Sequence, residues 1–225
     1  MVNNTAVEQY KSFYFKRWTQ KWAYLQFLQN TFAYSQDIFV QGLEKIDEDN
    51  TRATTPRIKV LDLWQMDADL GYNSYILKKR AIKKQRIVEA VNQRTLLPDE
   101  LVFDFDNQPL KLAELKAFKI IETIKKKKKI FFYGLFYNGH SYHLHIYYRN
   151  LLNSRYYSRS EREDIRKKYL ASAGSDLQLA SERHLIALEF TPHYKYNKPK
   201  RLVFGNWYII LETANINTRG GNDGQ

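Results

Sequence analysis

Hydrophobic positions near the start of the chain recur at helical spacing. Val7, Tyr10, Tyr14, Trp18, Trp22, Leu25, Leu28 and Phe32 follow one another at steps of three or four. That stripe predicts an amphipathic helix over residues 7–32, and its aromatic side chains read as packing surface. Residues 47–56 are rich in Asp, Asn and Thr, end on a proline, and read as a loop. Gly71, Asn73 and Ser74 form a turn and a helix N-cap, opening a helix predicted over 74–93. The acidic pair Asp67 and Asp69 just before it lies outside any apolar alternation and is read as part of that turn.

The period then changes to two. Leu101, Phe103 and Phe105 alternate with Val102, Asp104 and Asp106, the pattern of a half-buried strand with its carboxylates on one face. Two such carboxylates stand about 7 Å apart along the strand. Their repulsion makes them either an exposed acidic edge or a platform for a hard divalent cation, which takes oxygen ligands. A second amphipathic helix is predicted over 110–128, with Leu110, Leu112, Leu115, Phe118 and Ile121 inward, ending in the run Lys125 to Lys129.

Two apolar runs, 130–137 and 141–148, flank Asn138-Gly139-His140, a strong hairpin signal. On the second run Ser141, His143, His145 and Tyr147 share a face, either as a satisfied histidine pair in a sheet or as functional groups. Ser160 to Glu163 reads as a capping box for a helix that runs to Ala173 and stops at Gly174. Residues 184–190 and 201–211 read as strands. The link between them, 191–200, alternates cations with aromatics, and the Gly/Asn-rich tail 212–225 is expected to be disordered.

Composition adds two constraints. The net charge is +12 and 15% of residues are aromatic, which favours a polyanionic partner, nucleic acid before an acidic membrane. Lys78, Lys79, Lys83 and Lys84 concentrate that charge on one helix, as a solvated face or as phosphate contacts. There is no cysteine, which excludes disulfides and any cysteine-containing zinc site and suits an intracellular protein. No apolar run approaches a membrane span, and the first residues lack a signal-peptide pattern.

Taken in order, these elements resemble the archaeo-eukaryotic primases, in particular plasmid- and virus-encoded primase-polymerases. Val102-Phe103-Asp104-Phe105-Asp106 matches the family's first motif, and Ser141-Tyr142-His143-Leu144-His145 its S-x-H motif. Asp176, the strand Leu185 to Leu188 and His193-Tyr194-Lys195 match the third, so the likeness spans about residues 96–204. Ala187 stands where many members carry an arginine, and the family's zinc module is ruled out by the lack of cysteine.

The resemblance implies an α+β fold: an RRM- or palm-like antiparallel sheet with helices on one face and its acidic face open, plus a helical N-terminal part. It divides the chain into a helical extension (1–70), a catalytic core (71–211) and the tail (212–225). It implies template-directed nucleotidyl transfer, a DNA primase or polymerase of a mobile element. Asp104, Asp106 and Asp176 would hold two Mg²⁺ or Mn²⁺ ions, with the Asp176 carboxylate within about 6 Å of the other two. Ser141, His143, His193 and Lys195 would bind the nucleotide, with His143 offering positive charge to its phosphates. DNA template, primer and nucleoside triphosphates are the implied partners in a cytoplasmic, nucleoid-associated protein. Whether a helicase or accessory primase subunit works beside it is left open. Two other readings stand beside this one. In a rolling-circle nuclease His143 and His145 would hold the metal and Tyr169 would be the nucleophile. The other is a non-catalytic, primase-like nucleic-acid-binding subunit.

Overall fold

A computed structural model of the chain describes residue 8 and residues 10–33, 36–48, 50–66, 74–106, 108–127, 132–148, 152–153 and 155–216. Asp67 and Asp69, the last two lysines of the run ending at Lys129, and the tail from residue 217 lie outside the described residues.

The helices are α1 (Trp18–Phe32), α2 (Val60–Gln65), α3 (Ser74–Ala90), α4 (Leu110–Lys127), α5 (Arg159–Ala173) and α6 (Tyr208–Thr213). The strands are β1 (Phe39–Gln41), β2 (Leu43–Lys45), β3 (Thr51–Ala53), β4 (Ile58–Lys59), β5 (Gln93–Thr95), β6 (Glu100–Asp104), β7 (Phe132–Tyr137), β8 (Tyr142–Tyr147), β9 (Leu185–Ala187) and β10 (Arg201–Gly205). They form two four-stranded antiparallel sheets, ordered β4-β1-β5-β9 and β10-β7-β8-β6, and a small β2–β3 ribbon. The fold is α+β. No helix among the described residues is long and apolar enough to cross a membrane.

The β6–β10 sheet has two different faces. Leu101, Phe103, Leu135, Leu144 and Ile146 pack with Ala113, Ala117 and Ile121 of α4 and Leu170 of α5. On the other face Phe136 and Leu202 join a second core with Val40, Leu188, the buried side of α1, and Ile210 and Leu211 of α6. The face expected to be open is therefore largely covered by the β1–β9 sheet. It is open at the β6 end that carries the aspartates.

The structure corrects several expectations. The helix expected over 7–32 is not continuous: one helix spans Trp18–Phe32, and before it Phe13 and Phe15 leave helical spacing to pack as edge-to-face rings on Phe190. Residues 1–70 are not a helical extension. They supply four short strands, and β1 lies inside a sheet, with Val40 paired to both Ile58 and Arg94. Strands of two or three residues are too short to show a period.

On α4 the inward residues are Ala113, Ala117, Ile121 and Ile124, while Leu110, Leu112 and Leu115 are exposed. Two alanines let the helix lie close against the sheet where leucines would hold it off. The α5 capping box is Ser158 with Glu161, two residues earlier than expected, and the helix ends at Gly174 with φ 65°. The strand read over 201–211 stops at Gly205, where φ is 120° and a Cβ would collide with the Tyr133 carbonyl. Residues 212–216, assigned to the tail, belong to the folded body: Tyr10 Oη donates to Glu212 at 2.9 Å and Ile216 is buried.

Candidate metal centre

Antiparallel pairing of β6 with β8 places Asp104 directly opposite His143. One residue on, Phe105 N donates to the Tyr142 carbonyl at 3.2 Å, which keeps Asp106 beside Ser141. Asp106 N donates to Asp104 Oδ1 at 3.0 Å, and the Ser141 hydroxyl donates to Asp106 Oδ1. One carboxylate oxygen from each aspartate and a ring nitrogen of His143 lie within 4.8 Å of one another.

Asn138, from the hairpin signal, organises this end of β8. Its Oδ1 accepts from His140 N at 2.9 Å and Ser141 N at 2.8 Å, which fixes the amide orientation. Its Nδ2 then donates to His143 Nε2 at 3.0 Å. His143 therefore carries its proton on Nδ1, a buried atom with no hydrogen-bond partner among the described residues. The same Nε2 lies 3.5 Å from Asp104 Oδ1.

The electrostatics fit a cation at this point. Burial, followed by the neighbouring Asp106 charge, raises the Asp104 carboxyl to about 7. Burial, then the charge of Lys200, holds His143 well below the usual imidazole value, which disfavours the positive charge expected of it toward phosphates. Two carboxylates and a neutral imidazole form an O,O,N donor set suited to Mn²⁺ or Mg²⁺.

The aspartates open into a cavity of about 340 Å³ that is also lined by Gln108, Gly174, Ser175 and Asp176. Asp176 thus borders the same cavity but is not part of the 4.8 Å group. Its carboxylate caps the 3₁₀ turn Leu177–Ala180, with Oδ1 accepting from Gln178 N at 2.9 Å. Ser175 fixes the strand end: Asp104 N donates to its Oγ at 2.9 Å, and the hydroxyl donates to the Asp104 carbonyl at 3.1 Å.

The 191–200 hairpin adds an aromatic wall. His193 stacks on Tyr194 and Tyr196 with centroids 4.9 Å away in each case, and Tyr196 stacks on His140 at 4.8 Å. Burial, then Lys200, lowers His193 to about 4. The Tyr196 phenol is raised by burial and then by the charges of Asp106 and Asp104. Lys195 is exposed, with its amine 5.9 Å from the Tyr194 ring centroid. Sequence reasoning missed Asn138, Ser175, Tyr196 and Lys200. Asn138 was visible only as a turn residue and Lys200 only as one cation among several.

Four residues back along β6, on the same face, lies a second acidic and histidine cluster. Glu100, His145 and Glu189 are fully buried, and Arg94 reaches both carboxylates, at 2.7 Å to Glu100 and 2.6 Å to Glu189. His145 Nδ1 is 2.8 Å from Glu100, and Lys200 Nζ is 2.8 Å from His145 Nε2 and 2.8 Å from the Ala187 carbonyl. Tyr24 Oη donates to Glu189 at 3.1 Å. Burial alone would raise Glu100, but the Arg94 charge and hydrogen bonds hold it well below the carboxylate range. His145 is already saturated, and it does not share a ligand group with His143. Tyr169 lines a groove with Phe103, Lys116 and Ile120 between α4 and α5, on the opposite face of the sheet. The rolling-circle geometry is therefore not assembled.

On α3, Lys78, Lys79 and Lys83 are exposed. Lys84 is not: it is buried, with its amine 3.9 Å from the Trp22 ring centroid, and is withdrawn from the expected phosphate contacts. No protein-family model, no curated protein and no solved structure matches the chain.

Proposed function

We propose that this chain is a metal-dependent nucleotidyltransferase acting on nucleic acid, a primase-polymerase, with Asp104 and Asp106 at its reaction centre. The supporting observation is the pair of carboxylates at the open end of β6, joined by His143 within 4.8 Å and facing a cavity. Asp104, Asp106 and His143 would hold a divalent ion, with Asp176 on the wall of the same cavity. When bound, Mg²⁺ or Mn²⁺ supplies a more acidic attacking hydroxyl and charge neutralisation at the departing pyrophosphate.

The chain's own residues do the positioning. Ser141 and the Asp106 amide fix the carboxylate oxygens, and Asn138 fixes the ring of His143 beside Asp104. Tyr196, with His193 and His140, offers a flat surface for a base. Exposed Lys78, Lys79, Lys83 and Lys195 are available to strand phosphates.

The test is incorporation of labelled nucleotides on primed and unprimed templates with Mg²⁺ or Mn²⁺. Wild type extends or primes, while Asp104→Ala and Asp106→Ala fall to background yet still bind DNA. Full activity in the double variant rejects this reading. A covalent protein–DNA adduct that disappears in Tyr169→Phe replaces it with a nuclease.

A further inference from the structure

A second cavity, of about 460 Å³, lies where β1 meets the turn leading into β9, and Asp37, Phe39, Arg57, Arg159, Glu182 and Arg183 are among its lining residues. Its two carboxylates are already matched. Asp37 pairs with Lys59 at 2.8 Å, and Glu182 pairs with Arg162 at 2.6 Å and Arg166 at 2.9 Å. Arg159 pairs with Glu163 at 3.0 Å. Arg57 and Arg183 have no carboxylate partner among the described residues.

Arg57 is nevertheless braced, and it stands against the Arg183 backbone. Arg57 Nη2 donates to the Arg183 carbonyl at 2.7 Å, and its guanidinium carbon sits 5.2 Å from the Phe39 ring centroid. The pairing is electrostatically unfavourable: burial, then the Arg183 charge, lowers the Arg57 pKa. A guanidinium held at the cavity wall by a carbonyl and a ring, with Arg183 lining the same cavity, is preorganised for an anion, and planar guanidinium forks suit phosphate.

We infer that the Arg57–Arg183 cavity is a phosphate-binding site, which holds a phosphate carried by the nucleic-acid strand or by the nucleotide used at Asp104 and Asp106. The carrier's identity rests on the proposed nucleotidyl transfer; the anion site rests on its own geometry.

The test uses the full chain carrying Arg57→Ala with Arg183→Ala. Affinity is read by fluorescence anisotropy for a labelled single-stranded oligodeoxynucleotide across a potassium chloride series, and for a labelled nucleoside triphosphate. Loss of two strand contacts lowers the log–log salt slope by about 1.4, at roughly 0.7 per phosphate. Weaker strand binding with that slope change identifies the strand as carrier. Weaker triphosphate binding alone identifies the nucleotide. Unchanged affinity for both overturns the inference. If the double variant has a lower melting temperature, Arg183→Ala alone leaves the Phe39 stacking in place and carries the same readouts at half the change.

The two hypotheses fail separately. A wild type that incorporates no nucleotide, with a double variant that loses phosphate affinity, removes the polymerase reading and keeps the site. An active wild type with an indifferent double variant does the reverse.

Discussion

Strands β6 and β8 carry two clusters of the same chemistry, and their surroundings make opposite things of them. At one end Glu100 and His145, with Glu189, are fully buried and meet Arg94 and Lys200. At the other, Asp104 and His143, with Asp106, have no cation in direct contact among the described residues. Glu100 is held well below the carboxylate range, while Asp104 is pushed up to about 7. Residue type alone does not make a metal site. A compensated cluster is a structural joint between two sheets, and an uncompensated one at a cavity is a vacancy in charge that a cation can fill.

The largest expected effect comes from breaking the compensated side. Arg94→Met leaves two buried carboxylates without their main partner and costs about 3–5 kcal/mol or more, read from urea unfolding. Replacing Arg94, Glu100 and Glu189 together by apolar or amide residues recovers most of that loss. A cost within the range of surface substitutions would show that the buried cluster is not the joint described.

The uncompensated side predicts the opposite sign. An ordinary aspartate titrates near 3.8, and Asp104 in the folded chain near 7. Between those values the folded state holds a proton that the unfolded state has lost, so stability falls as pH rises through this window. Asp104→Asn removes the penalty. It should stabilise the protein above pH 7 by on the order of 2–4 kcal/mol, with little effect at pH 3. Denaturant midpoints at the two pH values check this, and a destabilised Asn variant at pH 8 contradicts it.

The same contrast recurs more weakly on α3. Lys84→Ala should cost about 1 kcal/mol through its lost packing on Trp22 and leave the salt dependence of DNA binding unchanged. Neutralising Lys78, Lys79 and Lys83 together should lower the salt slope by about 2 for single strands and leave stability alone. An unchanged slope would make them a solvated face.

What could be read from the sequence was local. The alternation at 101–106 assigned the faces of β6, the Asn138–Gly139 pair marked the hairpin, and Gly174 ended α5. What could not be read depended on distant partners. Arg94 and Glu189 are 95 positions apart, so neither the burial of Glu100 nor the saturation of His145 has a local signature. The exposure of Leu112 and Leu115 was hidden for a related reason. A helix with apolar residues on two sides does not declare which one the sheet will accept, and here the small alanines decided it. Lys84 has the sequence context of its exposed neighbours, and only α1 distinguishes it.

One arrangement at β6 has a consequence for the protein's behaviour in a crowded solution. β6 is the last strand of its sheet, and a last strand invites pairing with another chain. Here side chains stand in for the missing neighbour: Ser175 takes both backbone groups of Asp104, and Arg166 donates to the Glu100 carbonyl at 2.9 Å. A plug made of single side chains closes the edge to intruding strands without laying a further strand across the aspartates. The acidic end of β6 thereby stays open to its cavity while the strand edge beside it is already hydrogen-bonded.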